Sequence, residues 1–255
     1  MDWTTIGQSC VCRALKVLRG IKTTATLDNG INPHTDADLA SHSAMVAELE
    51  ASGAACNLVS EEYGQTITIN GGGPITVFID PIDGTAHFTR RELSFCAVGM
   101  FVVEDGCPTY SFVGDVVTGD IYHCDPAQAY KNGIPAAIPE TMPGKYVLAG
   151  WAPYSPRIEI FFDKLSKLPK DEYLMFNFGE TLQAAKIITG GYDACFEILP
   201  ARLQEFAGAV IAWRAGGEMS TMEGNPIVWE AGTRQTMLVS RSKELHQKLL
   251  KSFNS

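Results

Sequence analysis

A chain of 255 residues is long enough to bury one large core, or two modest ones packed together, with no disulfide or metal staple needed to hold the fold. Its formal net charge is -9 and no basic cluster longer than Arg90-Arg91 interrupts the acidic balance, which argues against nucleic acid and anionic membrane as partners. The 7 cysteines are odd in number, scattered and mostly set among apolar neighbours, so they read as buried thiols in a reducing compartment, with no second pair to complete a zinc site around Cys10 and Cys12.

The start, Met1-Asp2-Trp3, carries no basic stretch followed by an apolar core, and no apolar run approaches the roughly eighteen residues of a membrane span, so a soluble cytoplasmic protein is expected. Apolar residues at Ile6, Cys10, Ala14, Val17, Leu18 and Ile21 predict an amphipathic helix from residue 1 to about residue 25. A second helix begins at residues 35 to 38, where short polar side chains can cap, and runs to Gly53. Residues 57 to 60 then lead into Glu61-Glu62.

After the turn-forming residues 70 to 74, the apolar run 75 to 79 predicts a strand buried on both faces that ends at Asp80. Strands at 95 to 103, 109 to 115 and 119 to 123 read as a meander, and Asn132-Gly133 marks a further hairpin. Proline and glycine gather between 133 and 144, dividing an α+β unit (residues 1–140) from an α/β unit (residues 141–255). The second unit reads as strand 146 to 150, helix 156 to 168, strand 172 to 176, helix 181 to 189, strand 194 to 198 and helix 203 to 215. Two short strands and a helix after Ser242 close it.

The informative segment is Asp80-Pro81-Ile82-Asp83-Gly84-Thr85. An Asp-x-x-Asp by itself commonly closes a turn. Here it stands at the end of a buried strand, with Glu61-Glu62 at the end of another apolar stretch. Carboxylates crowded at strand ends are costly unless a cation compensates them, and oxygen donors without cysteine favour magnesium or manganese. Gly84 and Thr85 would present backbone N–H groups suited to a phosphate oxygen.

Residues 78 to 88 resemble the first signature of the inositol monophosphatase family, followed by a strand of the family type at 95 to 101. Thr35 to Asp38, Ser60 to Glu62, the hairpin at 129 to 133, residues 190 to 197 and Ala215-Gly216-Gly217 match the family in order, so the resemblance spans nearly the whole chain. It implies an α+β fold in the layered αβαβα sandwich of the sugar phosphatase and inositol monophosphatase type, a homodimer, two or three Mg2+ ions per site with Mn2+ as a substitute, and a small phosphorylated metabolite as substrate. It assigns Glu61, Asp80 and the Ile82 carbonyl to one ion, with Asp80 and Asp83 sharing a second. Thr85 and Asp38 orient the attacking water, with Glu61 supporting catalysis. Asp83, Gly84, Thr85 and Glu197 contact substrate.

The family's second signature departs here. Where its helix opens with Trp-Asp and the aspartate is a metal ligand, this chain reads Leu203-Gln204-Glu205-Phe206-Ala207-Gly208. Counting without a gap from Glu197 or from Ala215 puts Gln204 in the aspartate's place, whereas matching Ala207-Gly208 puts Glu205 there. The anionic residue is the stronger magnesium ligand, so Glu205 is favoured. Among the other residues, His34, His42, His123 and His246 have no metal-site spacing, His87 reads equally as a substrate contact or as a packing or supporting residue, and Trp151, Trp213 and Trp229 as core.

Within this resemblance the substrate is a polyol monophosphate of the inositol type, fructose 1,6-bisphosphate, suggested by Glu205 and the Arg90-Arg91 pair, or a specialised metabolite phosphate. Ala86 after Gly84-Thr85 disfavours a bisphosphorylated nucleotide. A catalytically silent relative that binds a phosphorylated ligand or a protein partner is the reading from another class.

Overall fold

The computed structural model describes residues 1–22, 34–140, 144–151, 158–176 and 181–255. The chain opens with α1 (Trp3–Gly20), whose first N–H groups are accepted by the Asp2 side chain, and α2 (Asp36–Ala51), started by Thr35 in a capping box with Asp38. There follow β1 (Cys56–Ser60), β2 (Ile67–Ile69), β3 (Thr76–Asp83), the short α3 (Thr85–Thr89), β4 (Ala97–Glu104), β5 (Cys107–Asp115), β6 (Ile121–Cys124), β7 (Ala129–Lys131) and β8 (Ile134–Ala136). All eight strands form one sheet in the order β2-β1-β3-β4-β5-β6-β7-β8.

The second half contributes β9 (Tyr146–Trp151), α4 (Ile158–Ser166), β10 (Tyr173–Phe176), α5 (Thr181–Ala185), β11 (Ala194–Arg202), α6 (Ala207–Arg214), β12 (Glu218–Ser220), β13 (Arg234–Ser240) and α7 (Lys243–Phe253). Its five strands form a second sheet in the order β10-β9-β11-β13-β12.

Both sheets are apolar on both faces, and the period of two along each strand sorts side chains between layers. In β3, Val77 and Ile79 join α1 and α2 in one core, while Phe78 points the other way. In β4, Val98, Met100 and Val102 face α1 and α2, and Ala97, Phe101 and Val103 face the middle of the molecule. That middle core holds α5 and α6 residues such as Leu182, Ala185, Val210 and Ile211, together with Cys195, Met237 and Val239 of the second sheet. The outer face of the second sheet, with Leu148, Phe196 and Leu238, packs on Phe161 of α4 and on Leu245, Leu249 and Phe253 of α7. The layers therefore run helix, sheet, helix, sheet, helix, as the αβαβα expectation requires.

Several sequence expectations are revised. β3 does not stop at Asp80: Asp80 still pairs with Gly99 and Asp83 with Ala97, and the register shifts between them. The short edge strand β2 was not foreseen, because three residues carry too little alternation to stand out. Residues 203–206 form a 3-10 turn, so α6 begins only at Ala207. Trp213 and Trp229 are half-buried, Trp229 lying edge-on to Phe101 and Phe206. Five cysteines are buried, whereas Cys12 and Cys107 are exposed. The first helix's predicted residues 23–25, the next half's residues 156–157 and the Trp151 side chain lie outside the described residues.

Close contact between α5 and α6 depends on Gly208, where a Cβ would lie 1.8 Å from the Thr181 carbonyl oxygen. The Gly208 N–H also donates to Thr181 Oγ1 at 2.7 Å. Gly208→Ala should therefore destabilise the fold by about 1–3 kcal/mol, read from the denaturant midpoint. Gly20→Ala, where a Cβ meets nothing within 4 Å, should cause no loss.

Candidate active site

The site starts from one pairing. β1 and β3 run parallel, with Asn57 opposite Thr76 and Ser60 opposite Ile79, so both strands end at the same edge of the sheet. The Glu61 N–H continues the ladder to the Ile79 carbonyl at 3.0 Å. This puts Glu61 and Glu62 beside Asp80, nineteen residues away in sequence for the aligned pair Glu61 and Asp80. Beyond Asp80 the chain leaves regular pairing. Asp80 Oδ1 accepts the Ile82 N–H at 3.1 Å, and Ser41 of α2 donates to the Pro81 carbonyl at 2.8 Å. Gly84, at φ 88°, turns the chain directly into α3, a conformation glycine takes without strain.

α2 delivers Asp38. Its Oδ2 accepts the Thr35 N–H at 2.8 Å and the Thr35 hydroxyl, closing the helix cap. Its Oδ1 faces Thr85, whose hydroxyl lies 3.1 Å away and 2.9 Å from the Ile82 carbonyl. With one proton, that hydroxyl donates to one of the two acceptors at a time. Burial pushes the Asp38 carboxyl up, and the Thr35 and Thr85 hydrogen bonds pull the other way.

The two glutamates after β1 have different partners. Glu61, 16% exposed, accepts from Arg202 of β11, which also donates to the Glu61 carbonyl at 2.8 Å. Glu62 is deeper, at 4%, and is paired with His34. Burial, reinforced by the charges of Asp38 and Glu61, pushes the Glu62 carboxyl up to about 9.

The second half closes the site. Asp83 Oδ2 accepts the Thr181 N–H of α5 at 2.8 Å. Glu205, in the 3-10 turn before α6, accepts the Arg202 N–H at 3.3 Å. Its charge acts on both Asp80 and Asp83, so its carboxylate faces them across the seam between the halves. Gln204 is buried and brings no charge. Asp80 and Asp83 are held well above the usual carboxylate range, first by burial, then for Asp80 by Asp83 and for Asp83 by Glu205. Burial likewise raises Glu205 to about 7. Glu197 is buried on β11, at the residue where that strand's register with β13 begins to shift.

Asp38, Glu61, Asp80, Ile82, Asp83, Gly84, Thr85 and Glu205 are thus neighbours, as the sequence motifs anticipated. Arg91 is drawn off to the end of α1, donating to the Ile21 carbonyl at 3.1 Å, and Arg90 is exposed. His87 packs against Phe95, His42 bonds Ser60, His123 stacks between Phe112 and Tyr130, and His246 sits between Ser220 and Ser240. Sequence reading missed Arg202 and the His34–Glu62 pair, since neither lies in a motif and both contacts join distant segments.

The donor set suits a hard divalent cation: buried carboxylates and a backbone carbonyl, with no thiolate. Among the described residues neither Asp80 nor Asp83 forms an ion pair with a lysine or arginine, and burial first, then the neighbouring carboxylates, push both carboxyls up, which a bound cation would offset. As placed, no three acidic, histidine or cysteine side chains of the described residues gather closely enough to hold an ion.

Fold and acid cluster together are those of a metal-dependent phosphate monoester hydrolase. Residues 7–255 match the inositol monophosphatase family, and the chain belongs to it. The inositol-1-monophosphatase of Bacillus subtilis is 26% identical over 223 residues, 84% of this chain and 83% of that one. A fructose-1,6-bisphosphatase/inositol-1-monophosphatase of Archaeoglobus fulgidus is 27% identical over 205 residues, covering 76% and 73%. The extragenic suppressor protein suhB of Bartonella henselae superposes with a TM-score of 0.86 at 16% identity, over 100% of this chain and 99% of that one. The enzyme is an inositol monophosphatase-type phosphatase, and its family generally uses Mg2+. Among the described residues no helix is long and apolar enough to cross a membrane.

The raised carboxyls make a signed prediction for metal-free protein. A carboxyl whose folded pKa lies above its unfolded value binds its proton more tightly when folded, so its stabilising contribution is complete below the unfolded value and is lost as pH rises to the folded one. For Glu62 that window runs from the ordinary glutamate range to about 9, and for Glu205 to about 7. The melting temperature in chelator should fall as pH rises from 5 to 9, and saturating Mg2+ should flatten that fall. An equal slope with and without Mg2+ would contradict the assignment.

Proposed function

We propose that this chain hydrolyses a small polyol or sugar phosphate by direct attack of a water held by Thr85 and Asp38. The observation that carries the reading is the Thr85 hydroxyl 3.1 Å from Asp38 Oδ1, beside buried acids that lack basic partners. The proposed metal donors are Glu61, Asp80, the Ile82 carbonyl, Asp83 and Glu205, for two or three Mg2+ ions, with Mn2+ able to substitute. When bound, the ions would lower the pKa of water and offset phosphate charge.

The chain's own residues do the rest. A threonine hydroxyl is too weak a base to take the water's proton at neutral pH, so Thr85 orients the water and Asp38 receives the proton through it. The cap bonds from Thr35 fix the Asp38 rotamer, which keeps the accepting oxygen aimed at Thr85. Backbone N–H groups of Gly84 and Thr85 hold a phosphate oxygen, Asp83 borders the ester, and Glu197 accepts hydrogen bonds from substrate hydroxyls. Residues 1–140 form the unit carrying most acids and residues 141–255 the unit completing the site. A cytoplasmic homodimer is proposed on the resemblance and the chain's composition.

A polyol monophosphate of the inositol type is the favoured substrate. The Archaeoglobus relative's printed name supports fructose 1,6-bisphosphate as the second reading. The diversion of Arg91 to α1 takes away one of the two arginines that had suggested a second phosphate. A silent binding protein would have no use for the Asp38–Thr85 pair.

Phosphate release should be measured across inositol monophosphates, fructose 1,6-bisphosphate and other sugar phosphates with Mg2+, and should vanish in excess chelator. Full turnover without metal would sink the mechanism. Glu205→Gln should lower turnover by about a hundredfold or more, since it removes an anionic ligand, whereas Gln204→Ala should be mild. Magnesium titrated against rate for both variants checks this, and the reverse ranking would move the ligand to Gln204. Asp83→Asn should abolish turnover while the apo protein's melting temperature holds or rises, because like-charge repulsion is relieved.

A further inference from the structure

Arg202 enters the acid cluster from the second sheet and touches both sides of the seam. Its Nη1 donates to the Glu61 carboxylate and, at 2.8 Å, to the Glu61 carbonyl, while its backbone N–H donates to Glu205 Oε1 at 3.3 Å. Glu61 follows β1 of the first sheet, and Glu205 lies in the turn before α6. Arg234 stands opposite Arg202 on β13 and is exposed, and the charges of both act on Glu205.

A divalent ion and a guanidinium both relieve carboxylate crowding, and they repel each other when they share it. A fixed cation on Glu61 therefore supplies part of the compensation before any metal binds. It also weakens the field that would draw metal in. The side chain is 37% exposed, so solvent screens this effect without removing it.

We propose that Arg202 is a built-in counterion of the metal site: it neutralises Glu61 in the metal-free enzyme and lowers the site's affinity for divalent cations. This rests on the metal-site reading given above. It makes Arg202 a positioning and charge-compensating residue whose effect is seen in metal binding itself, ahead of turnover.

The test titrates Mn2+ into chelator-treated full-length protein, counting free ion by electron paramagnetic resonance, and records melting temperature with and without Mg2+. Arg202→Gln keeps a donor for the Glu61 carbonyl but no charge, and Arg202→Met serves if that variant does not fold. Arg202→Lys keeps the charge. The expected result is Mn2+ binding about tenfold tighter in the neutral variant, with a lower melting temperature in chelator and a larger gain on adding Mg2+. Arg202→Lys should stay near wild type. Unchanged affinity, with melting temperature lowered equally in both conditions, would make Arg202 a structural clamp and overturn the proposal. Weaker Mn2+ binding would also overturn it, showing that Arg202 presents Glu61 to the metal. If wild type binds no Mn2+ and Asp83→Asn behaves identically, the metal-site reading itself fails, an outcome distinct from the other two.

Discussion

The parallel pairing of β1 with β3 is the constraint on which the site depends. Parallel strands end at the same edge, so two segments rich in acids are delivered side by side with no freedom to spread. Their carboxylates are then partly or wholly buried, and each helps to push its neighbours' pKa up. Backbone N–H groups of Thr181 and Ile82 offset some of the crowding by donating to Asp83 and Asp80. The remainder must be met by protons, by Arg202 or by metal. A fold optimised for stability alone would place apolar residues here, so the cluster is a stability cost retained for chemistry.

In the proposed reaction the Asp38 carboxylate would serve structure and chemistry together. One oxygen completes the cap of α2 and the other faces Thr85. Because the cap fixes the rotamer, the second oxygen is oriented before substrate arrives, and no ordering entropy is lost at the moment of reaction. The neighbouring Glu62, pushed up first by its burial, lies within hydrogen-bonding reach of Asp38 and Glu61.

Much of this was legible in the sequence because it rests on local pattern. The αβαβα layering follows from strands apolar on both faces and helices with apolar stripes, and the 80 to 85 motif places five candidate site residues within six positions. The contacts of Thr35 with Asp38 span a single helical turn and so show in sequence. What was not legible depends on partners far apart in the chain: Arg202 with Glu61 across 141 residues, His34 with Glu62, and the diversion of Arg91 to Ile21. A lone arginine or histidine looks the same in sequence whether it meets solvent or a buried acid. The extension of β3 to Asp83 was hidden for a related reason, since prolines and aspartates read as strand breakers unless the partner strand accommodates a register shift.

The ambiguity between Gln204 and Glu205 has a structural source. Gap-free counting assumes that strand and helix keep constant spacing between Glu197 and Ala215. Neither does. Between Glu197 and Ala201, four steps along β11 match two along β13, so the strand carries extra residues in an irregularity. Immediately afterwards residues 203–206 wind as a 3-10 turn, with fewer residues per turn than the α-helix that follows. Either feature alone is enough to displace a side chain by one position, and the alignment anchored nearest the site, on Ala207-Gly208, is the one least affected. Gly208 is held there by its contact with Thr181, the same residue whose N–H binds Asp83. The turn bearing Glu205 is thereby tied to the element that binds Asp83.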